Sequence, residues 1–295
     1  MNADRTAQGR AITGRRWAAL VVSATVALGL AVGLASPAQA AAKSGTSLSL
    51  TAISHVATKT DKGAVLIAGG KADLKGTASS NLVGKRLGVQ IKDGASWSSY
   101  PGGGTVKGNR TFSIRITIKA SLTGKHTFRV VFSGSSTLKG SNASRSTTLW
   151  TWLPLVQLPV ASTDGSSDVN AAVSAQTNLT VAGKRYGSLL AGDVPAGGTG
   201  AATFELGNHC RTFRSTIGLT DSSPAAASIA FSVYFGDVAE VAPTVKHGTT
   251  KTIDLAMSKV SQLVLRNTEP DPAGAFAAPT VAAWPNARVL CNANL

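Results

Sequence analysis

The chain has 295 residues, with 29 Lys+Arg against 14 Asp+Glu for a net charge of +15, four histidines and two cysteines. That length holds one large domain or two ordinary ones. The histidines and cysteines form no H-E-x-x-H or C-x-x-C pattern, which excludes a motif-type zinc site, and the positive balance predicts attraction to polyanions without specifying a fold.

Residues 1–40 read as a secretory signal peptide. Arg5, Arg10, Arg15 and Arg16 open it, an apolar run follows from Trp17 to Ala35, and Ser36-Pro37-Ala38-Gln39-Ala40 supplies an extended, small-residue cleavage pattern. The run is long enough to serve instead as a membrane anchor, and no later stretch approaches a span. Cleavage predicts a mature chain beginning near Ala41, secreted and cell-wall associated, with its two cysteines in an oxidising compartment.

From Ala41 to Trp150 there are sixteen Lys+Arg against three acids, a net of +13, whereas Thr151 to Leu295 is close to neutral. A boundary near Trp150 therefore separates a basic half from a neutral one. The basic half alternates with period two. Leu87, Val89 and Ile91 lie on one face of a predicted strand, and Phe112, Ile114, Ile116 and Ile118 on one face of the next. Phe128, Val130 and Phe132 do the same in a third. Gly-, Ser- and Asn-rich breaks between such strands predict a half-buried antiparallel sandwich over 41–150. Residues 151–170, with Pro154, Pro159 and a polar stretch from Ser162 to Asn170, read as a junction. Residues 171–295 are again strand-like: "ATFELG", "CRTFRSTIGL", "ASIAFSVYFGD", "KTIDLAM" and "SQLVLRN".

Two resemblances accompany this pattern. "LVGKRLGVQIKDGASW", "GNRTFSIRI" and "LTGKHTFRVVFSGSSTLKGSNAS" resemble bacterial immunoglobulin-like repeats, which implies a spacer or adhesion module. "RYGSLLAG", "AATFELGNHCRTFRSTIGLTDSS", "ASIAFSVYFGD", "VKHGTTKTIDLAMSKVSQLVLRN" and "AAWPNARVLC" resemble, in order, the NPCBM family of carbohydrate-binding modules found beside glycoside hydrolases. Together they imply an all-β chain of two β-sandwiches, immunoglobulin-like and then jelly-roll-like. The second half departs from its family at Ala283 and Asn286, where aspartates are usual, and at Gly236-Asp237, where the order is Asp-Gly.

Several residues are candidates for chemistry. Cys210 beside His209 suggests a nucleophile and its base, but adjacent strand residues point to opposite faces. In an exported protein a Cys210–Cys291 disulfide is the better expectation, although Cys210 is out of phase with the inward Phe213, Ile217 and Leu219. Trp284 is placed either to stack on a pyranose, with Asn286 and Arg288 as hydrogen-bonding groups, or to plug the end of the sandwich. Trp97 and Tyr100 form a second aromatic pair for which packing is expected. Lys85, Arg86, Lys107, Arg110, Arg115 and Lys119 are candidates for binding a polyanion. Asp193, Glu205, Asp221 and Asp237 fit no EF-hand spacing, so structural calcium has no motif behind it and no cofactor is expected. Three glutamates after residue 40 leave little for a two-carboxylate glycosidase. The expectation is a secreted, non-catalytic carbohydrate-binding protein whose basic half associates with an anionic cell-wall polymer, with no nucleic-acid motif. A structural or adhesive wall protein and a small glycan-cleaving enzyme are the alternatives.

Overall fold

A computed structural model describes residues 42–56, 65–162, 172–270 and 279–295. The leader at 1–40 and the polar stretch at 163–171 lie outside the described residues. Among the described residues no helix is long and apolar enough to cross a membrane.

The basic half contributes β1 (Leu48–His55), β2 (Leu66–Ile67), β3 (Lys71–Ala78), β4 (Arg86–Asp93), β5 (Ser96–Thr105), β6 (Thr111–Thr117), β7 (Gly124–Phe132) and β8 (Ser141–Pro154). Alternation drives their assembly. In β6, Phe112, Ile114 and Ile116 are buried while Ser113, Arg115 and Thr117 are exposed, the mark of a sheet with one dry face. A three-stranded sheet, β1-β3-β6, packs its dry face against β5-β4-β7-β8. The shared core includes Leu74, Leu87, Val89, Phe112, Ile114 and Phe128. Tyr100 is packed as expected, edge-on to Phe128 at 5.3 Å. Its hydroxyl accepts from the Lys119 N–H and donates to the Thr117 carbonyl, both at 2.9 Å, so the polar tip is satisfied. Gly76 permits β1 and β6 to close on β3, because a Cβ there would run into the Ser49 carbonyl and the Phe112 ring.

The second half contributes β9 (Ser174–Val181), β10 (Lys184–Val194), β11 (Thr199–Glu205), β12 (Cys210–Leu219), β13 (Ser228–Phe235), β14 (Val238–Val241), β15 (Thr244–Lys246), β16 (Thr250–Ala256), β17 (Gln262–Thr268), β18 (Thr280–Trp284) and β19 (Arg288–Cys291). A smaller sheet, β11-β17-β13-β14 with β15 on β13, covers a larger one that runs β19-β12-β18-β10-β9 with β16 on β12. Between them lie Phe204, Phe213, Phe231, Leu263, Leu265 and Trp284.

The larger sheet does not end at β19. β8 pairs with β7 from Ser141 to Leu149 and with β19 from Thr151 to Pro154, so one hydrogen-bonded sheet passes through both sandwiches. Thr151–Pro154, placed in the junction by sequence, are the end of this strand. The two cores stay separate, one drawn from residues 50–149 and the other from 155–291.

Cys210 and Cys291 form a disulfide, 81 residues apart in sequence, between directly opposed positions of β12 and β19. The phase problem is resolved by an irregularity between Cys210 and Thr212. One extra residue shifts the alternation, so that Cys210 and Phe213 both face inward. The bond joins neighbouring strands of one sheet rather than its two faces.

Two outcomes are expected. Denaturation in urea with and without reductant will show the reduced protein to be less stable by about 2–5 kcal/mol, and thiol titration of the unreduced protein will find no free thiol. Trp284→Ala will lower the unfolding free energy by about 3–5 kcal/mol, since the indole is fully buried between Phe213 and Phe231 and donates to Asn267 Oδ1 at 2.9 Å.

Candidate functional site

Trp284 cannot stack on a sugar. It has no exposed surface, and its one polar group is occupied by Asn267. Its position on β18 faces the smaller sheet, so the plug alternative describes it and the stacking one is corrected. Asn286, next to it in sequence, is exposed in a left-handed turn with φ 55°. Arg288 points to the opposite side of the sheet, where its guanidinium lies 4.6 Å from the Trp152 ring centroid. The three residues proposed as one site are therefore split between the core, a turn and the far face. The pleat causes this, since Trp284 belongs to the inward parity and Arg288 to the outward one.

Four of the six basic candidates gather at one end of the first sandwich. Backbone bonds from the Val106 N–H to Lys85 and from the Arg110 N–H to Lys107 hold Lys85, Arg86, Lys107 and Arg110 there, all exposed. Arg115 is elsewhere, on the outer face of the three-stranded sheet. Its Nε and Nη2 donate to the two carboxylate oxygens of Asp73 at 2.9 and 3.1 Å. This fork holds the Asp73 carboxyl below the usual range and matches the charge of Arg115 internally. Lys119 lies 5.7 Å from the Tyr100 ring centroid.

Of the four carboxylates singled out from sequence, only Glu205 and Asp237 come near one another, on either side of Gln262. Asp221 accepts from the Gly183 N–H at 3.0 Å, Glu205 from Gln262 Nε2 at 2.7 Å, and Asp193 and Asp237 are exposed on different sheets. Among the described residues no three acidic, histidine or cysteine side chains are grouped to hold a metal ion. His209 is exposed while Cys210 is buried in its disulfide, which removes the nucleophile-and-base alternative.

The outer face of the smaller sheet carries a more coherent arrangement. A hollow of about 490 Å³ opens there, lined by Tyr234, Asp237, Gln262, Arg266, Thr203 and Ser162 among others. Its residues are brought together by register. Ile229, Phe231 and Val233 of β13 are buried, which turns Tyr234 outward. Leu263 and Leu265 of β17 are buried, which turns Gln262, Val264 and Arg266 outward. Tyr234 pairs with Val264 and Ser232 with Arg266, so Arg266 reaches the ring diagonally, 4.9 Å from its centroid. Gln262 pairs with Glu205 of β11 and donates to it. Asp237 comes from the two-residue turn between β13 and β14, where Gly236 at φ 60° takes the conformation that a glycine-first hairpin needs. Arg266 Nε is buried and has no acceptor among the described residues.

This arrangement offers an aromatic surface, a fixed guanidinium, a carboxylate and an amide within one depression. Sugar hydroxyls both donate and accept, and pyranose C–H faces are apolar, so the set is chemically suited to a neutral sugar. Sequence reading named Glu205 and Asp237 only as scattered carboxylates and passed over Tyr234, Gln262 and Arg266. The usable signal was an aromatic residue on the outward parity of one strand and an arginine on the outward parity of another.

Similar solved structures support only a partial likeness. CBM51 from Clostridium perfringens GH95 in complex with methyl-galactose has a TM-score of 0.37 at 15% identity, covering 47% of this chain and 99% of that one. The tandem CBM51 modules of the family 98 glycoside hydrolase from Streptococcus pneumoniae SP3-BS71 have a TM-score of 0.37 at 14% identity, covering 82% and 89%. The CBM51-2 and INT domains from Clostridium perfringens ZmpB have a TM-score of 0.38 at 14% identity, covering 57% and 38%. No curated protein matches the chain. One family model matches, beginning where β8 leaves β7 for β19 and ending in β19: residues 152–290 match the NPCBM/NEW2 domain.

Proposed function

We propose that the protein binds a glycan, without cleaving it, in the hollow on the smaller sheet. The observation that carries this reading is the convergence of Tyr234, Arg266, Gln262 and Asp237 in one depression inside the segment that matches the NPCBM/NEW2 domain. Tyr234 is the platform for a sugar face. Arg266 and Gln262 donate to ring and hydroxyl oxygens, and Asp237 accepts from hydroxyl groups. Non-catalytic action fits Glu205, the other carboxylate beside Gln262, being engaged by the Gln262 amide rather than held free opposite Asp237 as a second catalytic carboxyl.

The secretory leader read at residues 1–40 puts this activity outside the cell. The basic half then acts as an immunoglobulin-like module that associates with an anionic cell-wall polymer. Lys85, Arg86, Lys107 and Arg110 support this, being exposed at one end of the first sandwich and in no ion pair among the described residues.

A polysaccharide screen will identify a ligand for the full chain, and Tyr234→Ala and Arg266→Ala will each weaken its binding by about tenfold or more without lowering the melting temperature. An empty screen, or full binding by both variants, sinks the glycan reading. Separately, retention of the full chain on isolated cell walls will fall as salt rises. Replacing Lys85, Arg86, Lys107 and Arg110 with Gln will move that release to lower salt, and retention indifferent to salt rejects the electrostatic part.

A further inference from the structure

The shared sheet has an outer face that runs unbroken from the first sandwich to the second, and its parity can be followed strand by strand. Lys92 pairs with Trp97, and Gln90 with Arg129, both pairs outward. Arg129 pairs with Ser144 of β8. β8 then continues without a register shift, so Trp150 and Trp152 share the outward parity of Ser144. Trp152 pairs with Leu290, Arg288 with Arg214, and Arg214 with Asp254. One face thus carries tryptophan and arginine on both sides of the crossing point.

The arginines on this face are stacked rather than free. Arg129 lies 4.2 Å from the Trp97 centroid. Arg214 and Arg288 approach the same ring, Trp152, at 5.3 and 4.6 Å. Arg211, thrown outward by the irregularity at the disulfide, lies 5.3 Å from Trp150. Stacking holds a planar guanidinium by its face and leaves the N–H groups along its edge for acceptors.

Arg214 and Arg288 are a cost in the protein by itself. Like charges directly opposed on neighbouring strands repel. Burial and the charge of Arg214 both lower the pKa of Arg288. Asp254 is the counter-charge, and it is engaged by Arg214 through both Nε and Nη2. Arg288 Nε is buried and has no acceptor among the described residues. Two guanidiniums directed at one indole, with one carboxylate between them, leave a deficit of anionic oxygen.

We propose that the Trp150–Trp152 face takes a tetrahedral oxyanion, a phosphate or sulfate ester carried on a glycan chain, with the Arg288 guanidinium and the Nη1 edge of Arg214, whose Nε and Nη2 are held by Asp254, clamping one ester and Arg211 beside them. A carboxylate has two oxygens and satisfies one fork, whereas a tetrahedral ester presents three that converge on neighbouring forks. The glycan chain continues along β8 toward Arg129 and Trp97; Arg129 pairs with Ser144 and Arg288 with Pro154, so the two ends of this track are ten residues, roughly 33 Å, apart along the strand. This inference rests on the polyanion reading above but places the contact on the shared sheet and demands fork geometry in addition to charge.

The test uses the full-length protein with phosphorylated dextran, dextran sulfate, polygalacturonate and plain dextran as probes. Binding of one or both ester dextrans tighter than polygalacturonate is expected, and which ester wins names the source. The double variant Arg214→Lys with Arg288→Lys keeps the charge and loses the forks. It should weaken ester binding by about tenfold and leave polygalacturonate nearly unchanged. Equal ester binding by the variant and the wild type overturns the proposal while leaving the polyanion reading intact, and no polyanion binding by the wild type removes both. If near-UV circular dichroism shows the variant misfolded, phenylglyoxal labelling of the wild type decides. Phosphorylated dextran should slow modification of Arg214 and Arg288, and unchanged labelling overturns the proposal.

Discussion

The strand β8 is the constraint on which the arrangement depends. Its 14 residues hydrogen-bond to β7 at one end and to β19 at the other. A strand has a single pleat, so a side chain's face in the first sandwich determines the face of every second residue into the next. Two separate cores are thereby locked into one sheet phase. A one-residue slip in β8 would bury Trp150 and Trp152 and expose Leu149 and Leu153.

The second sandwich is organised around Trp284. A large aromatic residue in a dry core needs a partner for its N–H, and Asn267 supplies it from the opposite sheet. That contact spans the layer between the two sheets, with Phe213 and Phe231 flanking it. It sets β17 against β18, and with them the outward residues of β17. Gln262 and Arg266 reach the hollow because Leu263, Leu265 and Asn267 are committed to the core.

The two positively charged regions differ in physical kind. Lys85, Arg86, Lys107 and Arg110 are exposed, flexible charges whose action is long-ranged and screened by salt. Arg211, Arg214 and Arg288 lie over indoles, which fixes the planes of their guanidiniums. Charges of the first kind attract a polymer without discrimination, and charges of the second kind distinguish acceptor shapes. Arg115 belongs to neither, because Asp73 neutralises it locally.

The amino-acid sequence by itself determined the class of fold. Alternation such as that of Phe112, Ile114 and Ile116 leaves a strand only one way to bury its apolar face, and that preference is local to each segment. The pairing of Cys210 with Cys291 was also legible, since a chain with two cysteines has one pairing open to it. Sequence could not place Trp284 in the core or Arg288 outside it, because an aromatic residue near basic and amide groups looks the same whichever way it points. It also could not bring Tyr234 to Arg266, or Arg214 to Arg288. Those pairs join strands 32 and 74 residues apart in the chain, and their contact depends on register, which is decided only when whole faces are buried together.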